Sequence, residues 1–332
     1  MSTLYKHKAT LTGEHSGPIN RVAFSPDGLY LASAGTDGKL VVWSTQTGKA
    51  LHAATAASPL LSLIWLQSSR RIVFGSHDGT LTSVVLREDM LTFSGLSAHD
   101  KPIECLSFCE GLQMLASGAH DQCKIWSVNN KSPYEPKADW VAHAMLPKPP
   151  SFRVDSDVLV TLLHWLENGS RPSLVVTYLN HGIMCYCSET LTSLWNVALE
   201  HWYGSNSPTI ETNPSVFISG AASFSPNKSY LAFSNLRDEF YVCAIPSGVI
   251  IHKFCTRQHP QWSSPLPVAF LYDGFALADH PVQAMAVHPG SPRSPSQVAT
   301  ATSNATGPAY IYIWSTACAA TTTGGIAIPP WQ

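Results

Sequence analysis

The chain has 332 residues, 45% of them hydrophobic and only 13% charged, with a formal net charge of −2. That balance excludes a largely disordered chain, and the lack of any basic run excludes an electrostatic footprint for nucleic acid. The opening MSTLYKHKAT lacks a signal-peptide core, and no run approaches the roughly 18 apolar residues of a membrane span.

In chain order, LYKHKATL reads as a strand with no local partner. RVAF then forms a strand, PDG turns it into YLASA, TDG into LVVW, and TG into a fourth strand around Leu51. Asp-Gly between apolar runs is a hairpin signal because glycine takes positive φ without steric cost. The outline returns in RRIVFGSHDGTLTSVVL, where Asp78 stands 41 residues after Asp37. It returns again in LSFCEGLQMLASGAHDQCKIWS, where Asp121 stands 43 residues further on. A fourth copy surrounds LVVTYLNHGIMCYC. A fifth, SFSPNKSYLAFSNLRDEFYVCAIPSG, lies without a gap on Ala23 to Gly48 at a shift of 200 residues. AFLYDGFALA (Ala269 to Ala278) matches the first two strands of the first copy. VQAMAV, QVATAT and YIYIWS form the last, which LYKHKATL can complete with a fourth strand.

Four short strands per roughly 41 residues describe a propeller blade. Within the first copy, His15, Ser33, Asp37 and Trp43 recur in the third as His99, Ser117, Asp121 and Trp126, with 18 residues from His to Ser in both. On these residues the chain resembles the WD-repeat β-propeller family. The resemblance implies an all-β, seven-bladed plan over residues 1–317 as one domain, closed by the N-terminal strand, with 318–332 as a short C-terminal tail. It also implies that each His, Ser, Asp and Trp set is hydrogen-bonded, since a buried indole N–H needs a partner. The other copies lose the set. Val84, Cys187 and Cys243 stand in the Trp place of blades 2, 4 and 5, and Phe233 and Arg237 stand in the Ser and Asp places of blade 5. Blade 6 stops after two strands, because His280-Pro281-Val282 already opens the next blade. This predicts either a segment missing from the sequence or a distorted ring of six and a half blades.

The chemistry-bearing residues are sparse. There is no H-x3-H pair, no G-x-S-x-G and no phosphate-cradling glycine loop. The eight cysteines follow no C-x2-C scheme, and Cys185, Cys187 and Cys243 read as core packing. Glu88-Asp89, Asp155-x-Asp157 and Asp238-Glu239 read as solvated surface. No catalytic, cofactor or metal residue is therefore expected. In HPGSPRSPSQ the two Ser-Pro steps read as a proline-rich hairpin loop, with phosphorylation as the competing reading.

In the family resembled, the face carrying the second-turn tips and the lead-ins to the first strands binds partner peptides. The matching tips are Thr36, His77 and His120, and the matching lead-ins are Asn20, Leu61, Glu104 and Gln283. Pro18, Pro59, Pro102 and Pro281 precede the lead-ins, where a fixed φ sets the loop. The expected function is a non-catalytic scaffold of the cytoplasm or nucleus. It would bind proteins or peptides on that face or through an insertion at 129–155, a second insertion being 200–216. Nucleic acid, membrane and small-molecule substrates are not expected. One alternative is a propeller hydrolase, which needs two converging carboxylates. Another is a phosphopeptide-reading adaptor of a ubiquitin-ligase complex, which needs the Arg or Lys that these tips and lead-ins lack.

Overall fold

The computed structural model describes residues 5–66, 70–87, 90–128, 140–149, 158–167, 171–179, 181–197, 222–234, 239–255, 267–271, 274–277, 282–288, 296–303 and 309–316. Among them every regular element is a strand. The first, β1 (Tyr5–Thr12), stands apart from its sequence neighbours. Then come β2 (Ile19–Phe24), β3 (Tyr30–Gly35), β4 (Lys39–Ser44) and β5 (Ala50–Thr55), one antiparallel sheet in chain order. The second sheet is β6 (Leu60–Trp65), β7 (Arg71–Ser76), β8 (Thr80–Leu86) and β9 (Leu91–Ser97). The third is β10 (Cys105–Cys109), β11 (Met114–Ala119), β12 (Gln122–Val128) and β13 (Trp140–Met145). The fourth is β14 (Val160–Leu166), β15 (Ser173–Tyr178), β16 (Gly182–Cys187) and β17 (Ser193–Val197). The fifth is β18 (Ala222–Phe224), β19 (Tyr230–Ser234), β20 (Glu239–Ala244) and β21 (Ile250–Cys255). A two-stranded sheet, β22 (Val268–Leu271) and β23 (Gly274–Leu277), follows. The last sheet runs β24 (Ala284–His288), β25 (Gln297–Ser303), β26 (Ala309–Thr316), β1.

Two expectations are corrected. The described residues form six four-stranded blades rather than seven, and the place of the sixth is held by the β22–β23 hairpin alone. Residues 140–145, assigned from sequence to an insertion, are instead β13, the outer strand of the third blade. The rest of that stretch at 129–139 and 150–155, the insertion at 200–216, His280, both Ser-Pro steps and the tail lie outside the described residues.

Burial follows strand position. In β3, β7 and β16 nearly every residue is buried, whereas the outer strand β5 alternates half-buried with exposed positions. An inner strand has apolar neighbours on both faces, so it reads as a continuous hydrophobic run; an outer strand keeps a period of two. The pattern has its cause in how sheets pack. The core around Leu11, Ile19, Leu31, Val41, Trp43, Ile311 and Ile313 joins the last and first blades, and that around Leu40, Leu60, Ile72, Phe74 and Val84 joins the first and second. Separately, Cys123, Ile125, Leu163, Trp165 and Tyr186 join the third blade to the fourth, and Cys185, Leu231, Phe233 and Cys243 join the fourth to the fifth. These cores fall into two compact units, one mainly of Met1–Ile103 and Ala269–Gln332, the other mainly of Glu104–Asn129 and Asp139–Val268.

Candidate functional site

The hairpin tips are held from beneath, and blade 1 shows how. Trp43 Nε1 donates to Ser33 Oγ at 2.8 Å, and His15 Nε2 lies 2.8 Å from the same oxygen. His15 Nδ1 is 3.2 Å from both Asp37 carboxylate oxygens. Burial holds the His15 imidazole below its usual pKa despite the opposing Asp37 charge. Burial also acts to raise Asp37, but the backbone N–H groups of Ser16 and Lys39 and the nearby His15 outweigh it and hold the carboxyl low. A neutral imidazole beside a carboxylate carries its proton on Nδ1. The Ser33 hydroxyl, which already accepts from the indole, therefore donates its single proton to Nε2. The relay runs Trp43 to Ser33 to His15 to Asp37 with every buried group satisfied. Asp37 in turn accepts from Ser16 N at 2.9 Å and Lys39 N at 3.1 Å, tying the lead-in loop to the β3–β4 hairpin.

Strand register aligns the other blades. Trp43 faces Leu31 and sits at the bulge where β4 meets β5. The same two features pick out Trp126 facing Leu115 and Cys243 facing Leu231. In blade 4 the bulge falls between Cys185 and Tyr186, and Tyr186 faces Leu174. The Trp place there is Tyr186, not Cys187 as residue counting suggested; Cys187 N instead bonds Thr192 O in the following turn. The residue two places beyond each facing partner then shows a consistent rule. Trp126 Nε1 donates to Ser117 Oγ at 2.8 Å and Trp314 Nε1 to Thr300 Oγ1 at 3.2 Å, so indole goes with hydroxyl. Where the hydroxyl is replaced by Phe74, Val176 or Phe233, the Trp place holds Val84, Tyr186 or Cys243, all buried. Thr300 carries the hydroxyl of the last blade, a role that sequence reading missed.

The tip and lead-in residues differ in how far their side chains are exposed. Thr36, His77, Glu104, His120 and Gln283 have exposed side chains. Leu61 and Asn20 are half-buried, and the Asn20 amide is committed to Leu60 O at 2.7 Å. The tips are pinned through the backbone: Thr36 N donates to Pro18 O at 2.8 Å and His77 N to Pro59 O at 2.9 Å. Asp78 repeats the turn lock of Asp37 by accepting from Thr80 N at 3.0 Å. His120 has φ of 53°, unusual for a non-glycine residue. Beside it, Asp121 pairs with Lys148 Nζ at 2.6 Å and lies 3.9 Å from His120 Nδ1. The Lys148 hydrogen bond holds its carboxyl below the usual range. His99 and Ser117 are both buried.

The chemistry available elsewhere is limited. Among the described residues no three His, Cys, Asp or Glu side chains group as a metal site requires. Among them, no helix is long and apolar enough to cross a membrane. A cleft beside Leu40, Leu60, Phe74 and Phe93 encloses about 170 Å³, less than the about 300–1,000 Å³ of ordinary ligand sites. Glu88-Asp89, Asp155-x-Asp157 and Asp238 lie outside the described residues.

Blades of four antiparallel strands, each keyed by a hydroxyl–indole pair or its apolar replacement, define an all-β repeat protein of the β-propeller class. The family model "WD domain, G-beta repeat" matches residues 5–44 and 90–127. The chain is 32% identical over 121 residues to "Periodic tryptophan protein 2 homolog" of Dictyostelium discoideum, covering 34% of this chain and 13% of that one. It is 27% identical over 186 residues to "Transducin beta-like protein 3" of Rattus norvegicus, covering 54% and 23%. It is 28% identical over 126 residues to "Cell division cycle 20.4, cofactor of APC complex" of Arabidopsis thaliana, covering 36% and 28%. The chain thus spans less than a third of each of these relatives. The similarity to WD-repeat proteins rests on those two matched stretches, residues 5–44 and 90–127.

Proposed function

We propose that the chain is a non-catalytic scaffold that binds partner proteins or peptides through its hairpin tips and first-strand lead-ins. One observation carries the reading: exposed side chains at Thr36 and His77 stand on turns whose backbone is fixed from below by proline carbonyls and aspartate locks. A preorganised tip loses little conformational entropy on binding, which favours recognition without chemistry. Glu104, His120 and Gln283 supply further exposed polar groups, and Leu61 a half-buried apolar one; Asn20 serves mainly its own bond. The reading includes ring closure by β1, whose pairing with β26 supplies the missing fourth strand, and a location in the cytoplasm or nucleus. One relative is named as the cofactor of a complex, which agrees with a role in assembly. Affinity purification with a His77→Ala, Glu104→Ala, His120→Ala variant tests it. Loss of partners with unchanged thermal melting is expected. Retention of every wild-type partner would overturn it.

A further inference from the structure

Third strands of neighbouring blades pack on one another. Ile311 and Ile313 of β26 share a core with Val41 and Trp43 of β4, and Leu40 and Val42 of β4 share one with Val84 of β8. In blades 1 to 5 the Trp-place residues, Trp43, Val84, Trp126, Tyr186 and Cys243, are at most 5% exposed. Trp314 breaks the series: it is half-buried, as are Tyr310 and Tyr312 on the same face of β26. That face points away from the first blade, because the alternating Ala309, Ile311 and Ile313 are the ones buried against it. The three rings form a ladder, Tyr310 to Tyr312 and Tyr312 to Trp314 each at 6.4 Å, with the exposed His7 edge-on to Trp314 at 5.4 Å. Among the described residues, the cluster on this face has two buried members, Tyr5 and Val298, and Met285, Val287 and Trp314 are only partly buried.

The strand that would cover this face is the third of the sixth blade. Six residues separate β23 from β24, whereas 24 separate β3 from β6 and hold β4 and β5. β23 lies in the same compact unit as the last blade, and in its sheet it pairs with β22 alone. We propose that a β-hairpin of another protein completes this blade, its first strand pairing antiparallel with β23 and packing on Tyr312 and Trp314. The complete blades define its chemistry. β4 and β16 are buried on both faces, so the donated inner strand is apolar on both faces and free of proline. β5 alternates, so the donated outer strand does too. Backbone pairing supplies affinity, and the aromatic ladder selects the side chains. Two other occupants fit less well. In the chain's own segment after Thr316, only Ile326 to Ile328 stand between Gly324-Gly325 and two prolines, which have no N–H for a ladder. As the second strand of its blade, β23 stops about 10 Å short of a four-stranded blade's outer edge. The equally recessed hairpin of a second copy cannot reach it.

The probe is a synthetic peptide of residues 39–55, the third and fourth strands of the first blade. It is added to the full chain, and backbone amide exchange is followed by mass spectrometry. Slowed exchange at 274–277, with no change at β5 and β9, is expected. In fluorescence anisotropy with labelled peptide, Tyr312→Ala should weaken binding about tenfold with an unchanged thermal melt. The His77→Ala, Glu104→Ala, His120→Ala variant should bind as the wild type does, which separates this surface from the hairpin tips. A peptide carrying Val41→Pro should not bind. Absence of added protection at 274–277 at millimolar peptide overturns the proposal on the wild-type chain alone, whether or not Tyr312→Ala folds. Where protection already present there cannot be increased, the edge belongs to the chain's own residues if it survives dilution and to a second copy if it fades; either result overturns the proposal.

Discussion

Replacing Ser33 by alanine tests the relay beneath the first blade's tip. The hydroxyl is fully buried and serves two partners, the Trp43 indole N–H and His15 Nε2, both at 2.8 Å. An orphaned buried polar group costs about 1–3 kcal/mol. Because the two orphans share one network, Ser33→Ala should cost about 2–4 kcal/mol rather than the full sum. Trp43→Phe removes the donor, leaves the Ser33–His15 bond intact, and should cost about 1–3 kcal/mol through lost packing. Combining them abolishes the orphaned indole, so the pair should cost about 1–2 kcal/mol less than the two singles added. Urea unfolding followed by far-ultraviolet circular dichroism measures all four proteins. Additivity within about 0.3 kcal/mol would refute the relay as an energetic unit.

The pairing rule makes a companion prediction. Ser33→Phe alone should overpack the blade by about 1–3 kcal/mol or more, and adding Trp43→Cys, which copies Phe233 with Cys243, should recover at least about 1 kcal/mol. On the pH axis, His15 and His164 both sit below the ordinary value of 6.5 when folded. The unfolded chain then binds protons more readily below that pH, so stability is full above 6.5 and falls as pH drops from 7 to 5. Each site contributes at most about 1.4 kcal/mol per pH unit. Asp37, held below 3.8, adds a further loss only under more acid conditions. Urea midpoints that stay level from pH 7 to 5 would contradict neutral buried histidines. Gly79 has φ of 81°, and a Cβ there would run into the His99 carbonyl oxygen. Gly79→Ala should therefore cost more than about 2 kcal/mol, while Gly95→Ala on the exposed outer strand, where a Cβ meets only the Thr82 hydroxyl closely at 3.3 Å, stays within about 0.5 kcal/mol. Thermal melts of the two variants compare them directly.

Local chemistry made most strands legible. The turns at Asp37-Gly38 and Asp78-Gly79 are marked by residues that need no tertiary context, and the alternation of β5 and the continuous burial of β3 follow from composition. The blade 4 core position was not legible, because it depends on where a bulge falls in the β16–β17 pairing, and counting residues from a neighbouring motif cannot place that bulge. The Lys148 partner of Asp121 was hidden for a similar reason, since it lies 27 residues further along the chain. β13 was mistaken for insertion because its inner-facing Trp140 is followed by exposed Val141, Ala142 and His143, a pattern with little strand signature. Thr300 escaped notice because a threonine among small residues carries no motif until Trp314 is seen to donate to it.

The pairing of β1 with β26 also sets a schedule for biosynthesis. Tyr5 meets Thr316 and Thr12 meets Tyr310, so β1 waits for a strand made about 300 residues later. At ribosomal rates of about 5–20 residues per second, that wait lasts about 15–60 s. Throughout it β1 is an amphipathic segment with two open edges, open to mispairing or to a chaperone. The last blade is therefore finished only after its β26 strand has cleared the ribosome, and a disturbance of residues 5–12 acts late in the folding of that blade although those residues are made about 300 residues earlier.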